Sequence, residues 1–489
     1  MKIERLAPVA TSLRPSNHPY LNGAWTPLFE EVNADGLDVI SGRIPTDIDG
    51  VYLRNTENQI HQPLGRFHPF DGDGMIHQID FRDGSARYRN RFVRTRCFAA
   101  EQEAGRSLWG GLADPARLSE RPGFGAHGAL KDSSSTDIVV HAGRALSTFY
   151  QCGEAYRLDP ETLEQDGVAG WVPLDGISAD AKSDERTGEL LFFNYSKHAP
   201  YLHFGVVDRQ DRLVRYSAVP LPGPRLPHDM AFTENYAILN DMPLFWDAEL
   251  LKRNIHAVRQ HEGIPSRFAL VPRRGDAPLR WFEAAPTYVL HWVNAYEDGD
   301  EVVLDGYFQE NPTPEPQADA PAGFEHMMAY LDAHSFRPKL HRWRFNLKDG
   351  TTTEQRLDDR VIEFGTINQR VAGRKYRYVY STTLKPGWFL FDGFVKNDVG
   401  TGESWTYRLE SGRFASEAPF APRLGSTAED DGYLVSFITD ENSGTSECIL
   451  LDAARIEDGP VCRIALPHKL CSGTHACWAD RTYIRNGVI

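Results

Sequence analysis

Tyr288–Phe308 reads YVLHWVNAYEDGDEVVLDGYF. Two alternating runs rich in β-branched and aromatic residues flank the turn sequence Asp298-Gly299-Asp300, which is the pattern of an antiparallel hairpin. The first strand has a histidine, His291, at its mouth. The same grammar repeats outward along the chain. Met75–Phe81 and Ala86–Val93 flank Asp83-Gly84-Ser85, and Tyr201–Asp208 and Arg212–Val219 flank Arg209-Gln210-Asp211. Ile138–Tyr150, Glu189–Ser196, Tyr376–Thr383, Gly387–Val395 and Gly432–Asp440 are further runs of this kind. Short strands joined by Gly- and Asp-rich turns at near-regular spacing describe an all-β sandwich, barrel or propeller. Helical periodicity is sparse. Trp246–Arg253 and Phe324–Phe336 are the candidates, expected as insertions on one face.

Two more histidines share the setting of His291: His228 in LPHDMAFTENYAIL (Leu226–Leu239) and His475 in CSGTHACWADRTYI (Cys471–Ile484). Aromatic and aliphatic neighbours supply the dry, rigid surroundings that an imidazole metal ligand requires. Ligands this far apart in sequence can meet only in a closed, ring-like fold. Asp180, His228, His291, Glu363, Glu417 and His475 follow one another at intervals of 48, 63, 72, 54 and 58 residues. A four-stranded blade takes ~40–50 residues, and longer loops stretch that figure. In a propeller each innermost strand faces the axis, so the rhythm reads as one axial side chain per blade. No linker composition interrupts residues 1–489, and the chain reads as a single domain.

Composition narrows the function. Hydrophobic residues make up 41% of the chain and aromatics 11%, enough for a large core, while 41 glycines and 31 prolines are dispersed as turn residues. A net charge of −15 argues against nucleic acid and against anionic membranes as partners. There is no run of 18 apolar residues, so no transmembrane segment is expected. Met1–Gly23 lacks the apolar core of a secretory signal, and a cytoplasmic location is expected. The six cysteines form no CxxC pair and are expected to be reduced and packed. Cys471, His475 and Cys477 could start a zinc site, but no fourth ligand of that kind lies nearby. Gly-x-Ser-x-Gly, P-loop and helix-opening Gly-x-Gly-x-x-Gly patterns are absent, which leaves hydrolase, kinase and dinucleotide readings unsupported. His61, His141, His198 and His203 read as packed or surface residues. His127 and Lys131, just ahead of a strand, are weak candidates for a substrate entrance.

At these residues the chain resembles the carotenoid cleavage oxygenases, including their bacterial apocarotenoid-, stilbene- and phenylpropanoid-cleaving branch. The likeness runs nearly end to end. It takes in PYLNGAWTPLFEE (19–31), GRIPTDIDGVYLRNTEN (42–58), GRFHPFDGDGMIHQIDF (65–81), YRLDPETL (156–163), PHDMAFTENYAIL (227–239), HWVNAYE (291–297), EDDGYLVSF (429–437) and GTHACW (473–478). The resemblance implies a seven-bladed β-propeller with a loop and helix cap over one face. It also implies a non-heme Fe(II) on the axis and cleavage of an alkene C=C bond by O₂ into two carbonyl products. It carries three of four ligand histidines onto His228, His291 and His475, and two of the glutamates that orient them onto Glu363, in RVIEFGTIN, and Glu417, in ASEAPFAPR.

Two positions depart from that pattern. Asp180, in SADAKSDERTGE, stands where the family has its first ligand histidine, and Gln151 stands where it has its first orienting glutamate. Carboxylate oxygen beside imidazole is ordinary for non-heme iron, but an aspartate is shorter than a histidine. The strand must shift inward, a water must bridge, or a coordination position must stay open. One swap adds a negative charge and the other removes one, so the charge around the iron is conserved. The competing expectation is that Asp180 pairs with Lys182 and the metal is lost. Stilbene-cleaving members hold the substrate phenol with a tyrosine and a lysine; Leu112 and Tyr150 stand at those places here, which disfavours a 4-hydroxystilbene bound in that manner. The expected substrate is a small apolar or aromatic alkene. The alternatives are a metal-dependent isomerase or lyase, and a non-catalytic binder of apolar ligands.

Overall fold

The computed structural model describes residues 1–123, 130–253, 257–318 and 320–488. His127 lies outside the described residues. The Tyr288–Phe308 stretch forms the expected hairpin: Trp292–Asp298 pairs antiparallel with Glu301–Gln309, closing with Asp298 opposite Glu301. Gly299 takes φ +64° in the two-residue turn, a conformation the tight hairpin needs and glycine gives without steric cost.

The fold is all-β, a seven-bladed propeller. The innermost strands, in chain order, are Asp137–His141, Lys182–Asp184, Ala231–Phe232, Trp292–Asp298, Ile362–Thr366, Phe420–Pro422 and Ala476–Asp480. Several of these neighbours touch around the axis, and Ala476–Asp480 meets Asp137–His141 to complete the circle. The ring is sealed by exchange between the two ends of the chain. Ala476–Asp480 pairs with Gly50–Asn58 in one blade, while Val39–Gly42 adds an outer strand to Pro460–Ala465 in the next. The core lies between blades, where Phe193, Leu239, Val303 and Val379 are among the buried residues of one cluster. Fully burying each such side chain contributes roughly 1.5–3 kcal/mol.

Both anticipated helices are present, as Ala248–Lys252 and Glu325–Leu331. Met328 and Leu331 of the second pack with Tyr20, Trp25, Phe389 and Phe364 in a single cluster, so this helix is core packing for the cap rather than an exposed patch. Two further helices, Arg96–Ala104 and Arg481–Asn486, each end on a left-handed glycine, Gly105 and Gly487. All six cysteines are free thiols. The Cys471 thiol donates to the carbonyls of Trp25 and Glu57, which removes it from any zinc site with His475. Among the described residues no helix is long and apolar enough to cross a membrane.

Candidate metal centre

Each inner strand brings one polar side chain to the axis at or near its start. His291 and His475 immediately precede Trp292–Asp298 and Ala476–Asp480, and Asp180, His228 and Glu417 lie two or three residues ahead of theirs. Glu363 is the second residue of Ile362–Thr366, and Asp137 is the first of Asp137–His141. The sequence reading found six of these seven and missed Asp137. The signal was there, since Asp137 lies 43 residues before Asp180 and continues the blade rhythm.

Asp180, His228 and His291 converge, one donor atom from each lying within 4.8 Å of the others. His475 stands beside them, with Nε2 3.8 Å from Asp180 Oδ1 and its ring centroid 4.9 Å from that of His291. On the outer side of the imidazoles, Glu363 Oε2 lies 2.7 Å from His291 Nδ1, and Glu417 Oε2 lies 3.3 Å from His475 Nδ1. Each carboxylate is itself anchored by a backbone N–H. Phe364 donates to Glu363 at 2.6 Å and Ala476 to Glu417 at 2.7 Å. On the inner side, His291 Nε2 and Asp180 Oδ2 are buried without a hydrogen-bond partner. Polar atoms are not left so without reason. Orphaned polar atoms on two side chains that converge with His228 fit a cation, and imidazole nitrogen with carboxylate oxygen fits a first-row transition metal.

Protonation follows the same geometry. Burial lowers His228 to about 4 and His291 to about 3, so both are neutral with lone pairs free at pH 7. Burial raises Glu363 to about 8, against the backbone N–H of Phe364 and the neighbouring imidazoles, which lower it. Burial opposes the charge on Asp180, yet His475, Lys182, His291 and His228 together hold it down to about 2. The Lys182 ammonium does not consume that charge. It sits 2.7 Å from Asp229 Oδ1 and 3.7 Å from Asp180 Oδ1, so Asp229 is its principal partner. Asp229 also accepts the Trp292 N–H at 2.7 Å, tying the segments after His228 and His291 to each other.

Aromatic rings close the site from the cap side. Phe364, at φ +52°, places its ring 4.3 Å from His291 and 5.3 Å from His475. Phe389 follows at 5.9 Å, Phe70 at 5.5 Å from Phe389, and Tyr150 at 6.2 Å from Phe70. Tyr150 is thus at the far end of an aromatic wall that reaches the donors. The N–H of Leu112 is held by Asp71 at 2.8 Å, beside Phe70. Gln151 is buried with its side-chain oxygen unpartnered. Asp180, His291 and His475 also line a cavity of about 170 Å³, together with Phe364, Asp137, Lys182, Glu185 and Asp229 among others.

A profile of the family described as retinal pigment epithelial membrane protein, RPE65, matches residues 25–480. A carotenoid 9,10(9',10')-cleavage dioxygenase of Pisum sativum is 31% identical over 94% of this chain and 89% of its own length. Isoeugenol monooxygenase of Pseudomonas putida is 30% identical over 95% of this chain and 98% of its own. The crystal structure of a Pseudomonas brassicacearum lignostilbene dioxygenase has a TM-score of 0.83 at 26% identity, covering 96% of this chain and 100% of that one.

Proposed function

The chain belongs to the RPE65 family of carotenoid cleavage oxygenases, and from that premise we propose that it is an Fe(II)-dependent oxygenase splitting the C=C bond of an apolar or aromatic alkene with O₂ into two carbonyl products. One observation carries the reading: Asp180, His228 and His291 bring donor atoms within 4.8 Å of one another, and on the same side chains His291 Nε2 and Asp180 Oδ2 are buried without a hydrogen-bond partner. His475 completes a set of three imidazoles and one carboxylate. Asp180, His228, His291 and His475 would hold ferrous iron, which would supply the activation of O₂.

The protein's own residues do the rest. Glu363 and Glu417 keep a proton on Nδ1 of His291 and His475 and so turn Nε2 inward, the usual way a carboxylate fixes a ligand imidazole. Asp229 holds Lys182 aside, leaving Asp180 Oδ2 free. Phe364, Phe389, Phe70 and Tyr150 exclude water and hold a flat, conjugated substrate by its faces, as apolar sites do. Relatives named for carotenoid, lignostilbene and isoeugenol chemistry bracket the substrate class as apocarotenoid, stilbenoid or phenylpropenoid.

The test is anaerobic reconstitution with Fe(II), a metal count per chain, and a panel of such alkenes under ¹⁸O₂. The expected result is one iron per chain and labelled carbonyl fragments that appear only with O₂. Full iron loading with isomerised or unchanged alkenes and no O₂ uptake would overturn the assignment.

A further inference from the structure

The seventh axial residue, Asp137, has no part in the reading above. It is not among the side chains whose donor atoms converge, yet it is buried at the head of an inner strand, next to Asp180. Its Oδ2 accepts the backbone N–H of Asp180 at 2.9 Å, and its Oδ1 accepts the N–H of Ile138 at 2.7 Å. Both oxygens are therefore fixed, and one of them grips the residue that departs from the histidine pattern.

Asp180 itself is in the left-handed region, with φ +64°. Aspartate visits that region more readily than most residues, but at a cost in free energy that something nearby must offset. A buried N–H donating to an ionised carboxylate is a strong, short-range restraint of the required kind. The need for it is geometric. A carboxylate on Cβ reaches less far than an imidazole, so its backbone must be turned and held for the oxygen to face the axis.

The corner before Asp137 grips the neighbouring donor as well. The Thr136 carbonyl accepts from Thr474 Oγ1 at 2.6 Å and from the His475 N–H at 3.4 Å. Asn55 Nδ2 donates to the Asp137 carbonyl at 3.2 Å, closing the corner from a third strand. Thr136–Asp137 thus ties together the two segments that present Asp180 Oδ1 and His475 Nε2, 3.8 Å apart.

We propose that Asp137 is a positioning residue for the metal site: its carboxylate locks the left-handed backbone of Asp180 and so lets an aspartate serve where the family uses a histidine. The proposal rests on the reading that Asp180 is a metal ligand.

Metal-free protein titrated with Co(II) tests it, with the visible ligand-field band reporting coordination and a competing chelator reporting affinity. Asp137→Ala is expected to weaken Co(II) binding ~10–100-fold, the usual effect of losing an outer partner of a ligand, and to change the band. Asp137→Asn keeps an acceptor oxygen in place and is expected to recover most of the affinity. In an Asp180→Ala background, Asp137→Ala is expected to cost nothing further, because its effect runs through Asp180. Wild-type affinity and band in Asp137→Ala, or an equal loss in both backgrounds, would overturn the proposal. Asp137→Thr, similar in size but with its hydroxyl a bond short, is read by the same criteria if the alanine variant is not recovered folded. Unchanged Co(II) binding in Asp180→Ala alone would instead remove the ligand reading on which the proposal stands, so the two failures are distinguishable.

Discussion

His291 Nδ1 and Glu363 Oε2 meet at 2.7 Å across 72 residues of sequence, with the carboxylate wholly buried. Glu417 and His475 make the corresponding contact at 3.3 Å. The shorter contact is the better restraint on its imidazole. His475 has Asp180 near its other nitrogen, so two carboxylates share its orientation.

That difference ranks two variants. Glu363→Ala is expected to weaken metal binding ~10–100-fold, and Glu417→Ala to fall at the low end of that range. Glu363→Gln, which can still accept from a protonated Nδ1, is expected to lie between Glu363→Ala and the parent. Chelator competition with Fe(II) or Co(II) measures all three. Equal losses for the Glu363 and Glu417 alanine variants would show that the distances do not govern the restraint.

Metal removal gives a second check. A cation that binds only the folded chain stabilises it by ~2.7 kcal/mol when free metal is 100 times its dissociation constant. Chelation is therefore expected to lower the melting temperature of the parent protein and to leave His291→Ala unaffected, since that variant has lost a donor and its metal with it. Full metal loading and an undiminished chelator response in His291→Ala would remove His291 from the site.

Much of this was legible before the structure. His228, His291 and His475 announce themselves because a polar imidazole at the mouth of an apolar strand is unusual, and the hairpin turns give the blades. What stayed hidden depends on contacts between blades. Asp137 follows Asp132 and a run of serines, which reads as an ordinary turn. Sequence alone pairs Lys182 with nearby Asp180, yet its nearer partner is Asp229 from the adjacent blade. Phe364 covers the imidazoles of His291 and His475 only because it takes a left-handed backbone that nothing in its own side chain favours.

Glu185, in the cavity that Asp180, His291 and His475 also line, sets a pH dependence of stability. Burial raises its carboxyl to about 8, with Asp480 and Asp184 adding to the shift and Arg370 opposing it. The folded value lies above the unfolded one, so the folded state holds a proton that the unfolded state releases from about pH 4 upward. The stability this contributes is complete below that value and is lost as pH rises toward about 8. Glu185→Gln is expected to melt like the parent near pH 5 and to be more stable by ~1 kcal/mol or more at pH 8.5. A constant difference across that range would mean that Glu185 is ionised in the fold at neutral pH.

The paired departures, Asp180 and Gln151, yield the last prediction. The resemblance that identifies them places a histidine and a glutamate there, so each swap alone changes the charge at the site and both together conserve it. Gln151 is buried with its oxygen unpartnered, and a glutamate at that place would add a buried anion. Gln151→Glu alone is expected to change Fe(II) affinity and turnover, because it adds a charge with no compensating loss. Asp180→His alone is expected to weaken the site for the opposite reason. The double variant Asp180→His/Gln151→Glu restores both the charge and the reach of an imidazole. It is expected to bind Fe(II) more tightly than the two single effects sum to, a coupling of ~0.5–3 kcal/mol as for other residues in contact with one network. Additive effects, or a silent Gln151→Glu, would show that the two replacements arose independently and that Asp180 needs no partner at position 151.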